Sequence, residues 1–352
     1  SVEVNNYTAK IKVGKTNKTC GGKPMKKKIT LLVLVAVVTV AVTVVVSGLL
    51  PILTKRVTRN QEIPLEVNDK LTKLNKQIIT ALKQNDLQSF YEICTEDYEQ
   101  KLKTNLAPGG DPFAKLQQVA KNYKFEVADA YQITMYRLRD NKELNLQIES
   151  SLDEKPVSLQ LKSISSEIYV AFLTSSGPSI DHLLTLVYSK QKNNWKLHSL
   201  NCREYAYQKQ TAADYYNQAQ QLADEDSIVA AYLYALTAEE LTPPSNFLRY
   251  SDSYKFKELK SKLSRKIANQ LPYPIEVTSV PNRPIIFRVQ VKNLKQGLAA
   301  VIKYKTSFNL KETEKLQREV NNLTPKVLDI FPGLADNFRY LAYQIYTKGN
   351  SE

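Results

Sequence analysis

Two histidines, His182 and His198, are all the imidazoles that 352 residues provide, and the chemistry open to the chain is narrowed by that scarcity. They cannot build a His-rich metal centre, and no CxxC, HExxH or HxE spacing supplies one by another route. There is no glycine-rich phosphate loop, since Gly109-Gly110 stands between prolines in a turn, and no GxSxG elbow occurs. What remains is proton transfer. His198, a carboxylate such as Asp97 and the phenols of Tyr98, Tyr131 and Tyr136 could move a proton if the fold gathers them around one pocket. The plainer reading of the same residues is a strand histidine bonded to backbone, and tyrosines in a core with their hydroxyls at its edge. No catalytic residue, cofactor site or metal site is assigned from the sequence.

Two other groups of residues carry an expectation. Cys94 and Cys202 either form one disulfide or are two buried thiols in separate core positions. Tyrosine is abundant, 21 of 352 residues, and Tyr215, Tyr216, Tyr232 and Tyr234 fall close together after Tyr205 and Tyr207. Phenols bury a large area and keep a polar handle, so this cluster either lines a surface for a protein partner or forms an internal joint.

The elements that must position these residues begin with Ile29–Leu53, which contains no charged residue. A helix of that length crosses a hydrocarbon core of about 30 Å. The alternative is a cleavable signal peptide with Lys26–Lys28 as its basic end and Val46-Ser47-Gly48 at the cleavage site. Residues 1–28 then form a cytoplasmic tail. The string Cys20-Gly21-Gly22-Lys23-Pro24 can be encoded with GGAGG about seven nucleotides before the codon of Met25, the spacing of a bacterial ribosome-binding site. Residues 1–24 therefore read as an untranslated leader or, equally, as a short polar tail. The formal net charge of +14 invites a nucleic-acid partner, but residues 1–60 hold nine Lys, two Arg and one Glu, leaving only +4 for residues 61–352. That basicity flanks a membrane span and forms no domain-wide patch, so no nucleic-acid partner is expected. Eight lysines before the span against five Lys or Arg in the twenty residues after it place residues 60–352 outside the cytoplasmic membrane.

Beyond a polar stalk at 60–68, Leu71, Leu74, Ile78, Ile79 and Leu82 mark one helix, and Leu87, Phe90, Tyr91, Cys94 and Tyr98 a second after Asn85-Asp86. A third helix starts at Pro112. The period then changes to alternation from Phe125 onward. Strands follow around Leu144–Ile148, Val157–Leu161 and Ile168–Leu173, with a hairpin of Leu183–Tyr188 and Trp195–Leu200. Residues 209–271 return to helical spacing. Residues 272–352, after a proline-rich linker, read as a small ββαα domain with its last helix over Gly333–Tyr346.

The opening LNKQIITALKQNDLQSFYEICTEDYEQKL and the closing hairpin LLTLVYSKQKNNWKLHSL resemble those of the NTF2-like (cystatin-related) domains. The resemblance covers residues 60–208. It implies helices packed on a strongly curved antiparallel sheet, a cone whose mouth could gather His198, Asp97, Tyr98, Tyr131 and Tyr136, and either a binding role or an enzymatic one. Ala219, Leu222, Ala231, Ala238 and Pro243 also resemble one tetratricopeptide unit. The fold expected is α+β: a single transmembrane helix, an NTF2-like domain, a helical hairpin and the ββαα unit. The function expected is a non-catalytic binding or assembly module presented to a protein partner at the membrane. The alternative is an enzyme or small-ligand receptor that uses the cone's pocket.

Overall fold

A computed structural model describes residues 55–104, 112–136, 143–162 and 164–347. The apolar run 29–53, the segment 1–28, the Pro/Gly turn at 108–111 and Leu138 to Asn141 lie outside the described residues. Among the described residues no helix is long and apolar enough to cross a membrane.

The fold is α+β, built on an antiparallel sheet curled into a half-barrel. Its strands are β1 (Lys55–Arg59), β2 (Phe125–Met135), β5 (Glu167–Ser175), β6 (Ile180–Gln191), β7 (Asn194–Tyr207) and β8 (Gln210–Thr211), adjacent in that order. Register shifts at Val127/Asp129, Asp181/His182 and Val187/Tyr188 bend it, as bulges increase local twist. Both faces are buried. Along β5, Tyr169, Ala171 and Leu173 belong to one core, and Ile168, Val170 and Phe172 to another. Two-sided burial is why this strand reads as an unbroken apolar run.

Helices cover the first face: α1 (Leu65–Gln84), α2 (Leu87–Ile93), α3 (Glu96–Thr104) and α4 (Pro112–Asn122). In α1 the buried positions Leu71, Asn75, Ile78 and Leu82 form one stripe, and Asn85 ends the helix in the left-handed conformation with φ 57°. The Asp86 side chain accepts from the Ser89 amide and caps α2. The single helix expected over 87–98 is two. Cys94 is extended, and the Thr95 amide donates to the Leu197 carbonyl at 2.8 Å, so the chain leaves its helix to join β7.

The second face carries a small sheet of β3 (Glu143–Ile148), β4 (Val157–Lys162) and β9 (Leu248–Tyr250). The hairpin α5 (Ala212–Asp224) and α6 (Ile228–Glu240) and the helix α7 (Ser253–Gln270) complete this layer. A third sheet follows, β10 (Ile275–Glu276), β11 (Ile285–Leu294), β12 (Gly297–Thr306) and β13 (Tyr340–Thr347), with α8 (Thr313–Ile330) and the short α9 (Leu334–Asn337). One hydrophobic core runs from Ile133 and Phe172 through Tyr215 and Leu233 to Ile302 and Phe331. The boundaries expected at 208 and 271 therefore fall inside a continuous core, and residues from Lys55 onward form one compact unit.

Two expectations are corrected here. The last helix is a strand: β13 lies parallel to β12, from Ala299↔Tyr340 to Thr306↔Thr347, reached by the crossover through α8. Tyr340, Leu341 and Tyr343 mimic helical spacing, but these aromatic and branched side chains suit a sheet, and the Tyr343 hydroxyl is held by Thr324 at 2.8 Å. The C-terminal unit is thus closed by a strand and is not ββαα. The basic flank and the polar stalk at 60–68 are also structured. Lys55–Arg59 pairs with β2, and Ile63 is buried in the helix-side core. Charges that read as a membrane flank belong in part to this sheet. The Arg59 guanidinium bonds the fully buried Asp129 carboxylate at 2.6 Å and 3.0 Å.

Candidate functional site

A cavity of about 250 Å³ lies between α2–α4 and the strands β6 and β7. Its apolar walls come from Phe90, Leu102, Phe113, Leu116, Val119 and Leu200. Tyr98, Lys115, His182, Cys202 and Glu204 add polar residues to the lining, while Arg203 pairs with Leu183, a residue of the opposite core, so its side chain faces away from the cavity. Their placement follows from the break between α2 and α3. With Thr95 pinned to β7, the first turn of α3 leans on the same strand, and the Tyr98 hydroxyl accepts from the Leu200 amide at 3.1 Å.

His182 is 5 % exposed. Its own amide donates to Ser175 Oγ at 2.8 Å, and its ring stands edge-on to Tyr123 with centroids 4.7 Å apart. Its Nδ1 has no hydrogen-bond partner. Burial, aided by the positive charge of Lys115, lowers its proton affinity below the ordinary histidine value, against the opposing pull of Glu204 and Asp181. The ring is neutral at physiological pH. Burial pushes the Cys202 thiol up to about 12, and burial likewise pushes the Tyr98 phenol up. None of these groups ionises near neutrality, so the cavity presents neutral donors and acceptors in an apolar wall.

The charged groups at the rim differ in one respect. Glu204 accepts from the Tyr207 hydroxyl, and the nearby Asp181 is bonded to Lys209 at 2.9 Å and to the Gly177 amide at 2.8 Å. The Lys115 side chain has no hydrogen-bond or ion-pair partner among the described residues. The acids are engaged and Lys115 is not.

Of the sequence candidates, Tyr98 lines the cavity and the others do not. Tyr131 is 1 % exposed on the opposite face, stacked edge-on to Phe172 with its hydroxyl on the Glu149 carbonyl. Tyr136 is 61 % exposed at the end of β2. Asp97 is exposed on α3 and His198 half-buried on β7. Burial and the positive charge of Lys101 lower the proton affinity of His198, against the opposing pull of Asp97. That pair stands outside the cavity lining. The histidine inside is His182, which alternation alone identifies. His182, Leu184, Leu186 and Tyr188 share parity on β6, and the last three lie in the helix-side core. The same counting sets His198 out of phase with Trp195 and Leu197, which face that core.

Comparison of the chain with protein-family models, curated proteins and solved structures gives no match.

Cys94 and Cys202 are free. Cys94 bridges to Leu197, and Cys202 lies five residues further along β7, roughly 16 Å of strand at about 3.3 Å per residue, where a disulfide needs Cα atoms within about 7 Å. This corrects the disulfide alternative. Burial pushes the Cys94 thiol up to about 12 as well. Peptides carrying Cys94 and Cys202 are expected to alkylate without prior reduction once the chain is denatured. A non-reducing digest that yields them linked would contradict this geometry.

The tyrosine cluster is the internal joint. Tyr215 is fully buried and donates to the Tyr207 carbonyl at 2.8 Å. Tyr216 packs on Phe256, Tyr232 is half-buried against the same core, and Tyr234 stacks on Phe338 and donates to the Asn337 carbonyl at 2.8 Å. Tyr215 and Tyr234 connect the hairpin to the half-barrel sheet and to the C-terminal unit, and Tyr216 connects it to α7.

Proposed function

We propose that the chain is a membrane-attached, extracytoplasmic binding protein whose NTF2-like region, residues 60–208, holds a small ligand without transforming it. The observation that carries this reading is the cavity between the helices and β6/β7. Cavities of this kind, apolar with a few convergent polar groups, are the usual form of small-ligand sites. An engineered cavity of about 150 Å³ takes a benzene ring, so one of about 250 Å³ has room for a substituted ring. The protonation states favour holding over turnover: a thiol and a phenol that burial keeps protonated are poor nucleophiles and bases. The tyrosines that could have offered a partner surface are spent on the joint, which favours the pocket over partner presentation. Attachment through residues 29–53 and the outward orientation belong to the same proposal, supported by the uncharged run and its basic flanks.

The test is ligand-dependent stabilisation of the full chain in detergent micelles. Millimolar benzyl alcohol is expected to raise the thermal midpoint of the wild type. Val119→Phe, which fills the cavity from α4, is expected to abolish the rise, with Leu116→Phe as a second filling variant. An equal rise in the filled variants would place the binding elsewhere and overturn the reading.

A further inference from the structure

The sum of charges beyond residue 60 conceals an uneven division. Residues 272–352 hold twelve Lys or Arg against seven Asp or Glu, so this stretch alone carries +5 and the rest of 61–352 is close to neutral. Strand register gathers part of that charge on one face. We propose that the open face of the sheet β10–β13 binds single-stranded nucleic acid, with phosphates on Arg288, Lys292, Lys303 and Lys305 and bases on the rings of Tyr340 and Tyr346. None of these residues lines the cavity, so the face works independently of a small ligand.

Residues that pair across neighbouring strands project to the same side of the sheet. Arg288 pairs with Lys303, Lys303 with Gln344, Lys305 with Tyr346, and Lys292 with Ala299, which pairs in turn with Tyr340. All four cations and both tyrosines therefore share one face. Phe287, at the bulge of β11, joins them: its ring stands edge-on to Tyr346 with centroids 5.3 Å apart and lies 5.8 Å from Lys305 Nζ. The opposite face is the covered one. Ala300, Ile302 and Tyr304 lie in the main core, and Thr324 of α8 holds the Tyr343 hydroxyl. On the open face Arg288, Lys292 and Gln344 are exposed, and Tyr340 and Tyr346 half-buried. None of β11, β12 and β13 contains an Asp or Glu, and Glu276 of β10 is 3.7 Å from Arg283. Arg288, Lys292 and Lys303 have no hydrogen-bond or ion-pair partner among the described residues. Like charges placed directly opposite each other, as Arg288 and Lys303 are, destabilise a sheet. An anion between them removes that cost. From Lys305 to the level of Lys292 the cations run along six residues of strand, about 20 Å at about 3.3 Å per residue. A chain of phosphates matches such a line, where a single small anion would leave most of it unused. The tyrosines narrow the class further. A ring beside a cation offers a base a stacking surface and the adjoining phosphate a charge, and a lipid headgroup carries phosphate without a planar base to stack.

The experiment measures binding of fluorescent oligothymidylate to the full chain in non-ionic micelles by anisotropy, beside an abasic phosphodiester chain of the same length. The wild type is expected to bind oligothymidylate about tenfold or more tightly than the abasic chain. Tyr346→Leu is expected to weaken oligothymidylate about fivefold or more, to leave the abasic chain within about twofold and to keep the salt dependence, with Tyr340→Leu as the second stacking variant. Replacing Arg288, Lys292, Lys303 and Lys305 together by Gln is expected to weaken both chains. It should also make the slope of log affinity against log salt shallower by about 3, at about 0.7 for each of four phosphate contacts. That variant relieves the Arg288–Lys303 opposition and should unfold no earlier than the wild type by Trp195 fluorescence. Val119→Phe, in the cavity, is expected to leave oligothymidylate binding unchanged. Binding indifferent to the four Gln replacements would place it on the basic residues of 1–59 and overturn the proposal. Equal affinity for the two chains, or indifference to both tyrosine variants, would make the face a general anion surface and overturn the nucleic-acid assignment.

Discussion

Replacement of Asp129 by alanine is expected to cost the fold about 3–5 kcal/mol, the range for leaving partners of a buried ion pair uncompensated. The carboxylate is fully buried and takes bonds from Arg59, from Asn60 Nδ2 at 3.1 Å, from Ser150 Oγ at 2.8 Å, and from the Ser151 amide and hydroxyl at 2.6 Å and 2.9 Å. Alanine strands all of these donors at once. Asparagine keeps an acceptor of the same shape and is expected to cost about 1–3 kcal/mol. The pH dependence separates charge from shape. Burial alone would raise the Asp129 carboxyl, but the bonds from Arg59, Ser151, Ser150 and Asn60 outweigh it and hold it below the ordinary aspartate value. A carboxyl lowered in the folded state contributes stability above its unfolded value and loses it as pH falls through the folded one. The wild type should therefore lose this contribution below about pH 4. Asp129→Asn should show a shallower acid limb, with the remaining slope due to other lowered carboxyls such as Asp86 and Asp252. Urea midpoints measured from pH 7 to pH 2 check both parts. An acid limb of unchanged steepness in the asparagine variant would remove Asp129 from the account.

Phe331→Ala, near the end of the chain, is expected to lower the unfolding midpoint reported by Trp195, the only tryptophan. Phe331 is fully buried and stacks with Tyr273, so its truncation should cost about 3–5 kcal/mol. Trp195 lies in the other core, beneath the helices. The two cores share the strands of the half-barrel: neighbouring residues of β5 belong alternately to each. Loss of one core strips one face of that sheet, so Trp195 fluorescence and far-UV circular dichroism should shift together in a single transition. If residues 272–352 folded on their own, the fluorescence midpoint would stay where it is while part of the circular dichroism moved.

The regular elements were legible wherever one periodicity held. The stripe Leu71, Ile78, Leu82 and the turn at Asn85-Asp86 define α1 and its end, and the alternation around Trp195 and Leu197 defines the closing hairpin. Three features escaped for physical reasons. Lys55–Arg59 looks like a membrane flank because its charges are visible in sequence and their partner is not; Asp129 is some seventy residues away and meets Arg59 only through pairing of β1 with β2. The strand Tyr340–Thr347 escaped because its spacing satisfies a helix as well as a sheet, and the choice is made by the open edge of β12. The continuity of the core escaped because apolar faces do not announce which element they will meet. At the candidate site, Tyr98 was legible as a residue of the helical face. His182 was passed over for His198 because both histidines lie on strands, and only the phase of each strand tells inward from outward.

The attachment at β1 also has a mechanical side. The strand lies antiparallel along β2, from Lys55↔Met135 to Arg59↔Tyr131, with the Arg59–Asp129 bond at its far end. Load applied to the chain ahead of Lys55 and directed along the strand falls on every ladder bond at once, and the buried ion pair must give way with them. The same load directed across the strand opens the ladder one rung at a time from Lys55. A sheet edge built in this way grips firmly under shear and lets go easily when peeled, so the angle of pull decides how long the domain stays folded.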